Sequence, residues 1–339
     1  MVIQDAIRTL VEGATLAPDL AAASVEEMMA GTATPAQIGA FLAALRARGE
    51  TPEVIAACLA IVEAHAEPVP AENIIDIVGT GGDGADTFNV STAAAIVVAA
   101  CGVRVAKHGN RAASSKCGSA DVLEALGARL DLTGEHAAKV IDGCGFCFLF
   151  AQRFHPAFRH VGPPRRELGI RTIFNILGPL ANPARPRAML VGAGVASVAP
   201  LLAQTFALRN AERIMVVHSE DGLDEISPAA ATRAWVVERG HITEMPLSPD
   251  LFGLPAHPLS AVAGGDAGQN AATMRRLLAG ERGPVRDFVL MNAAAALWIA
   301  GTAPDFRAGV AKAAAGIDSG RASSTLDAYL RLSQEAAGG

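Results

Sequence analysis

Four short runs in this chain hold residues whose types and spacing could do chemistry on a phosphate ester. The first is Gly79-Thr80-Gly81-Gly82-Asp83-Gly84, which follows the apolar run "IIDIV" at 74–78. Glycines this dense let a backbone press close to a phosphate. Asp83 in their midst would repel a bare phosphate, so it calls for a cationic or hydroxyl-bearing partner. A Mg²⁺-loaded pyrophosphate ester on a sugar offers both. The second run, Asn89-Val90-Ser91-Thr92, opens a helix on N-cap residue types and offers free N–H groups at a positive dipole end. The third is Lys107-His108-Gly109-Asn110-Arg111, followed by Ala112, Ala113, Ser114, Ser115 and Ser119. It combines point charge, a guanidinium fork and small uncharged donors, all suited to phosphate. The fourth, "VHSEDGLDEIS" at 217–227, sets Asp224 and Glu225 side by side, where a turn at Gly222 would bring both to the ligand region. Hard carboxylate oxygens suit Mg²⁺, which keeps several waters and shares substrate phosphates.

Each run also has a plainer reading: a tight strand-to-helix turn, a solvated basic loop, an exposed acidic turn. Two consecutive strand tips built for anions weigh against the plain readings, because ligands of such sheets sit at the carboxyl ends of the strands. The glycine run literally satisfies G-x-G-x-x-G, the mark of a dinucleotide fold. That reading fails on two counts. The second strand ends in Lys107-His108 where a ribose-holding acid is required, and the helix opens late, at Asn89 rather than on the glycines.

The elements that must position these runs are legible in outline. Residues 1–67 read as helices only. Thr34-Pro35-Ala36-Gln37 joins an N-cap, a proline at the first helical position and a capping-box glutamine, and Ile38, Phe41, Leu42 and Leu45 follow at helical spacing. Thr51-Pro52-Glu53 starts the next helix, with Ile55, Cys58, Leu59 and Val62 on one face. A linker follows at 67–73. From residue 73 β-branched runs alternate with alanine-rich helical stretches. Strands are expected at 74–78, 103–108, 146–150, 187–192, 213–219 and 232–238. Helices are expected near 91–101, 119–127, 135–142, 195–208, 269–279, 286–300, 305–318 and 322–335. This alternation predicts an α/β fold, a mostly parallel sheet flanked by helices. The stretch 165–183 is helical in pattern, interrupts that order, and is expected to pack back on the N-terminal helices. The resulting division is a small α-helical domain at 1–70, joined by a return segment near 160–186, and a large α/β domain at 71–339.

The whole chain sets limits. It has 339 residues, 51% hydrophobic and 18% charged, enough for a sizeable core. The net charge of −6 argues against nucleic acid or an anionic membrane as a partner, though a local cation cluster can still hold a polyanionic small molecule. The longest apolar run, 93–103, is too short to span a bilayer, which needs ~20 residues. Acidic residues interrupt the N-terminus early, so no signal peptide is expected. Five scattered cysteines favour the cytoplasm over a disulfide framework, and Cys144 and Cys147 read as thiols at a buried strand rather than a redox or metal pair.

Taken in order, the segments Gly79–Asp83, Asn89–Thr92, Lys107–Arg111, "SSKCGSADVLEALG", "HPAFRHVGPPRRELGIRTIFNILGPLANP" and "DGLDEIS" resemble the anthranilate phosphoribosyltransferases, and the likeness covers nearly the whole chain. Gly162 and Pro164 depart from the family's usual residues. The resemblance implies a nucleoside phosphorylase/phosphoribosyltransferase-like fold with substrates between its two domains and a homodimer formed through the helical one. It implies transfer of phosphoribosyl from 5-phosphoribosyl 1-pyrophosphate to the amine of anthranilate, a step of tryptophan biosynthesis, with Mg²⁺. Carried over by position, Gly79, Gly82, Asp83, Thr87, Asn89, Val90, Ser91, Thr92, Lys107, His108, Gly109, Asn110, Arg111, Ala112, Ala113, Ser114, Ser115 and Ser119 are implied contacts of the phosphoribosyl donor. Ser91, Asp224 and Glu225 are implied metal ligands, and Gly79, Asn110 and Arg165 implied anthranilate contacts.

In such a reaction the leaving pyrophosphate gathers charge, so stabilising that charge is the main catalytic task. Lys107, Asp224 and Glu225 are the residues expected to carry it, with Asp83 answering to a sugar hydroxyl, to metal-bound water, or to both. The acceptor amine is neutral at pH 7, so no general base is assigned. Two rivals remain: a pyrimidine-nucleoside phosphorylase of related architecture, which leaves the Asp-Glu run unexplained, and a non-catalytic phosphosugar-binding module.

Overall fold

Four helices come first: α1 (Val2–Val11), α2 (Pro18–Met29), α3 (Pro35–Arg48) and α4 (Pro52–Ala64). The computed structural model describes residues 1–112 and 116–337. The start of α3 is built as its sequence requires. Gln37 N donates to the Thr34 hydroxyl at 3.3 Å, and Thr34 N donates to Gln37 Oε1 at 2.8 Å, so two helix-end donors are satisfied reciprocally. Thr51 accepts from Val54 N at 3.3 Å to open α4. The apolar stripes of both helices are buried.

The rest of the chain winds around a seven-stranded sheet. In chain order it runs β1 (Ile74–Gly79), α5 (Val90–Ala100), β2 (Arg104–Gly109), α6 (Ser119–Leu126), α7 (Gly134–Cys144), β3 (Phe146–Phe150), α8 (Ala151–Phe154), α9 (Phe158–Leu168), α10 (Ile173–Leu180) and β4 (Ala188–Gly192). Then follow α11 (Val198–Leu208), β5 (Arg213–Ser219), β6 (Thr232–Glu238), β7 (His241–Leu247), α12 (Ala267–Leu278), α13 (Pro284–Ile299), α14 (Phe306–Asp318) and α15 (Arg321–Ala337). The strand order is β3-β2-β1-β4-β5-β6-β7. β3 to β5 pair in parallel and β5, β6 and β7 pair antiparallel. The parallel strands are covered on both faces and read as nearly continuous apolar runs.

The sequence pattern missed β7. Its side chains are mostly exposed, so it lacks the apolar period that marks a strand. It exists because Arg239 (φ 46°) and Gly240 (φ 85°) form a two-residue left-handed turn that folds it back on β6. The stretch 165–183 is two helices rather than one. Gly169, at φ 63°, ends α9, and α9 runs through both Pro163 and Pro164.

Two cores share the sheet between them. One face packs on α5, α13 and the C-terminal helices, where Val90 to Ala100 form an almost wholly buried helix. The other face packs on α11. Beyond α11 lie α1 to α4, and α9 and α10 pack against them with Val161, Ile173, Phe174 and Leu177 in the same apolar cluster. Among the described residues no helix is long and apolar enough to cross a membrane.

Candidate active site

The chain reverses direction across the sheet at one place. From β1 it moves to β2 and β3 on one side, then returns to β4 on the other. The crevice between the carboxyl ends of β1 and β4 is where ligands bind such sheets. Gly79 and Gly192 end these two strands and pair with each other. Both must be glycine, because Asp224 lies over them. A Cβ on Gly79 would overlap the Asp224 carboxylate, and one on Gly192 would overlap the Asp224 backbone carbonyl. Beyond Gly79 the turn is held by contacts alone: Gly81 (φ 65°) and Gly82 (φ 74°) adopt left-handed backbone. Gly81 N donates to Asp224 Oδ2 at 2.6 Å.

The Asp-Glu loop is nailed down from below. Leu223 and Ile226 are fully buried. Asn292, on α13, accepts from Ile226 N at 3.1 Å and donates to Ile226 O at 3.2 Å. The Ser219 hydroxyl donates to Glu225 O at 2.7 Å. Asp83, Asp224 and Glu225 each bring one carboxylate oxygen within 4.8 Å of the others. Burial, and then the neighbouring acids, push the Glu225 carboxyl well up and the Asp224 carboxyl up, and the two share a hydrogen bond. Glu225 Oε2 is shut off from solvent with no hydrogen-bond partner. Three converging acids and an orphaned oxygen fit a hard divalent cation, which would supply the missing partner and relieve the repulsion.

Lys107 lies beneath this cluster, fully enclosed. Its Nζ donates to Ile77 O at 2.6 Å and to Ser91 Oγ at 3.2 Å. Burial pulls its pKa down, while the charges of Asp76, Glu225 and Asp224 oppose that shift. Ser91, Gly79, Asp224, Glu225 and Asn292 line one small cleft. Asp76, on β1, is buried and its carboxyl is raised to about 6 by desolvation, against the pull of Lys107. It accepts from Asn182 Nδ2 at 2.8 Å and from His108 N at 3.3 Å.

The remaining expected contacts divide. Asn89 occupies the N-cap of α5, yet its side chain does not cap it. It donates to Cys117 O at 3.0 Å and accepts from Asn270 Nδ2 at 2.9 Å, so it ties the start of α5 to the loop before α6 and to α12, and Val90 packs in the core behind it. Thr92 donates to the Ser119 hydroxyl at 3.1 Å, tying the starts of α5 and α6. Thr87 forms an isolated antiparallel bridge with Ala263. Gly109 lies too close to Phe148 for a side chain, with a Cβ there only 2.7 Å from the ring. Arg111 turns outward. It pairs with Asp121 at 3.3 Å and with Glu124, and stacks 5.4 Å from the Phe150 ring centroid. Ala112 N donates to Asp121 Oδ2 at 3.0 Å. Ala113, Ser114 and Ser115 lie outside the described residues.

Arg165 lies on α9. It is half-buried, stacks 5.3 Å over the Phe174 ring, and among the described residues has no carboxylate at ion-pair distance. Desolvation draws its pKa down. A line of rings joins it to the sheet: Phe174 to Phe158 at 5.7 Å, Phe158 to His155 at 5.0 Å, His155 to His108 at 5.1 Å. Asn110 connects here too, accepting from Gln152 Nε2 at 3.4 Å. Sequence reasoning missed Gly192, Asn292, Asn182, Asp76, Asn270 and Arg171. Only the glycine ending the fourth strand carried a readable signal; the others act through partners far away in the chain.

A small cleft at the strand switch point, a carboxylate trio and a helical unit packed beyond α11 define a class: a glycosyl transferase. Residues 71–323 match the glycosyl transferase family α/β domain, and residues 4–66 match the helical bundle domain of the same family. The anthranilate phosphoribosyltransferase of Thermomicrobium roseum is 49% identical over 337 residues, covering 98% of this chain and 97% of the relative. That of Saccharopolyspora erythraea is 48% identical, covering 96% and 94%. The crystal structure of anthranilate phosphoribosyltransferase from Thermus thermophilus superposes with a TM-score of 0.91 at 44% identity, covering 97% of this chain and 99% of that one. The Saccharomyces cerevisiae enzyme, in complex with PRPP and Mg, gives 0.92 at 30% identity, with 98% of each chain covered. The chain belongs to the anthranilate phosphoribosyltransferase family.

Proposed function

We propose that this protein transfers the phosphoribosyl group of 5-phosphoribosyl 1-pyrophosphate to the amine of anthranilate, releasing pyrophosphate. The observation that carries the reading is the convergence of Gly79–Asp83, Ser91, Lys107 and Asp224–Glu225 on one crevice. The yeast relatives were solved with PRPP and Mg and with 4-fluoroanthranilate.

The donor's phosphates meet the glycine turn and the start of α5, where backbone N–H groups and the helix dipole favour anions. Lys107 keeps a positive charge beneath the leaving pyrophosphate and holds Ser91 in place. Asp224, Glu225 and Ser91 would hold Mg²⁺, with Asp83 beside them; the ion would supply neutralisation of the pyrophosphate charge as the C1–O bond breaks. The anthranilate carboxylate is gripped by the Arg165 fork, which orients the amine toward C1. Asn110 and Gly79 stand at the boundary between donor and acceptor. The amine is already neutral, and its proton departs after attack. Closure of the helical unit (residues 1–70 with the return segment near 160–186) against the α/β unit excludes water, which would hydrolyse the donor. The same reading includes a homodimer formed through the helical unit, whose α1 exposes Val2 and Val11. It also includes a cytoplasmic setting, which suits five free cysteines.

Anthranilate fluorescence tests the reading. The signal falls only when protein, donor and Mg²⁺ are all present. A fall without the donor, or none with all three, refutes it.

A further inference from the structure

Arg171 has no part in the roles above, yet it makes a direct bridge across the cleft. It lies between α9 and α10, on the segment that carries Arg165 and Phe174. Its guanidinium donates to Gly81 O at 3.2 and 3.3 Å and to Gly82 O at 3.4 Å. The N–H of the same Gly81 donates to Asp224 Oδ2. One glycine is thus held from both sides, by a carboxylate of the metal cluster and by a cation of the acceptor-side segment. Neither Gly81 nor Gly82 has a side chain to fix its left-handed backbone, so these outside contacts set which way the turn's carbonyls point. Arg171 also fills the space a Gly82 Cβ would need. Its partners here are neutral carbonyls, and a planar fork presents its N–H groups to two adjacent ones in a fixed geometry, where an ammonium is a point charge with rotatable donors.

We propose that Arg171 is a positioning residue that clamps the glycine turn to the acceptor-side segment, so that the turn's amides and Asp83 face the phosphoribosyl donor. This rests on the donor–acceptor reading above. Arg171 draws the carbonyls outward; the amides are left to point into the crevice. Because Arg165 lies on the same segment, the clamp also links acceptor binding to the readiness of the donor site.

Donor binding with Mg²⁺ and no acceptor, measured by titration calorimetry, isolates this role. Arg171→Ala is expected to raise the donor Kd about tenfold, the loss of a charge-assisted contact, with the melting temperature unchanged. Arg171→Lys should recover part of the loss, since it keeps the charge and N–H donors but not the planar fork. Gly82→Ala displaces the guanidinium, so adding Arg171→Ala to it should cost much less than the same change in wild type. An unchanged donor Kd in folded Arg171→Ala, or full additivity with Gly82→Ala, overturns the clamp. If the alanine variant does not fold, Arg171→Lys with wild-type donor affinity and unchanged dependence on anthranilate overturns it equally. Wild-type turnover is measured in the same preparation. Its absence would sink the functional reading and this inference with it, whereas intact turnover beside an insensitive donor Kd sinks the clamp alone.

Discussion

Asp224 and Glu225 are held next to each other, out of water and beside Asp83, an arrangement that favours a proton or a cation between them. Because both carboxyls are held above their usual range, proton and metal compete for the site. Mg²⁺ affinity is therefore expected to increase as pH rises above the ordinary carboxylate range, with proton release detectable in weakly buffered titrations. Glu225→Gln should weaken Mg²⁺ dependence and turnover together, by about 10²–10³ in rate, the scale of losing one electrostatic stabiliser. A Mg²⁺ titration identical to wild type would remove Glu225 from that role. Arg165 stacks on Phe174 and, among the described residues, has no carboxylate at ion-pair distance. Arg165→Ala should raise the KM for anthranilate by about tenfold or more, with a smaller change for the donor. A larger change in the donor's KM would show that Arg165 grips phosphate instead. At this scale the sequence was most informative where a residue acts through its own type: Asp83, Lys107, Asp224 and Glu225 could be picked from their chemistry. Asn89 could not be read correctly, because its cap position is local but its partners, Cys117 and Asn270, lie far along the chain.

The elements place those side chains by close approach. Gly79 and Gly192 pair across the switch point and leave room for the loop that carries the acids. Gly192→Ala would drive a methyl into the Asp224 backbone. The expected cost is roughly 1–3 kcal/mol of stability, with a larger relative loss of Mg²⁺-dependent activity as the loop shifts. Denaturant melts and a Mg²⁺ titration on one preparation check both parts. Asn292→Ala strips the Ile226 N–H and C=O of their buried partner, and each unpaired group costs about 1–3 kcal/mol. Should Asn292→Ala melt like wild type, the loop is anchored elsewhere. Most strands were legible because parallel strands buried on both faces are apolar throughout. β7 was not, since a solvent-facing edge carries polar residues and only its Arg239-Gly240 turn betrays it.

At the scale of the whole molecule, a pair of buried imidazoles joins β2 to the segment that leads into α9. Desolvation lowers the His155 pKa to about 4 and puts that of His108 well below its usual value. Each is neutral when folded and takes a proton more readily when unfolded. Their contribution is complete above the unfolded value near 6.5 and is lost as pH falls toward 4, worth roughly 3 kcal/mol for His155. Asp76, raised to about 6, works in the opposite sense over the lower part of this window. Asp224 and Glu225, also raised, act in the same sense as Asp76, so the test is the difference from wild type: His155→Asn, which keeps a donor for the Ala181 carbonyl, should lose less stability, or gain more, between pH 6.5 and 4. Melting curves across the window decide it; an equal slope in the variant places the acid sensitivity elsewhere. The return of α9 and α10 to the N-terminal helices was foreseeable from their helical pattern amid the strands. The sharing of a core between those helices, α11 and the sheet was not, since no single segment encodes which surfaces meet.

That shared core bears on how the chain is made. Helices α1 to α4 leave the ribosome before α9, α10 and α11, which follow only after β1, β2 and β3 have been synthesised. Until then α3 lacks the cover of α9 and α10, and α4 that of α10 and α11, so Phe41, Leu42, Ile55 and Leu59 have only part of their neighbours. The nascent N-terminus therefore spends much of translation with apolar surface uncovered, and it is a natural client for chaperones that bind growing chains.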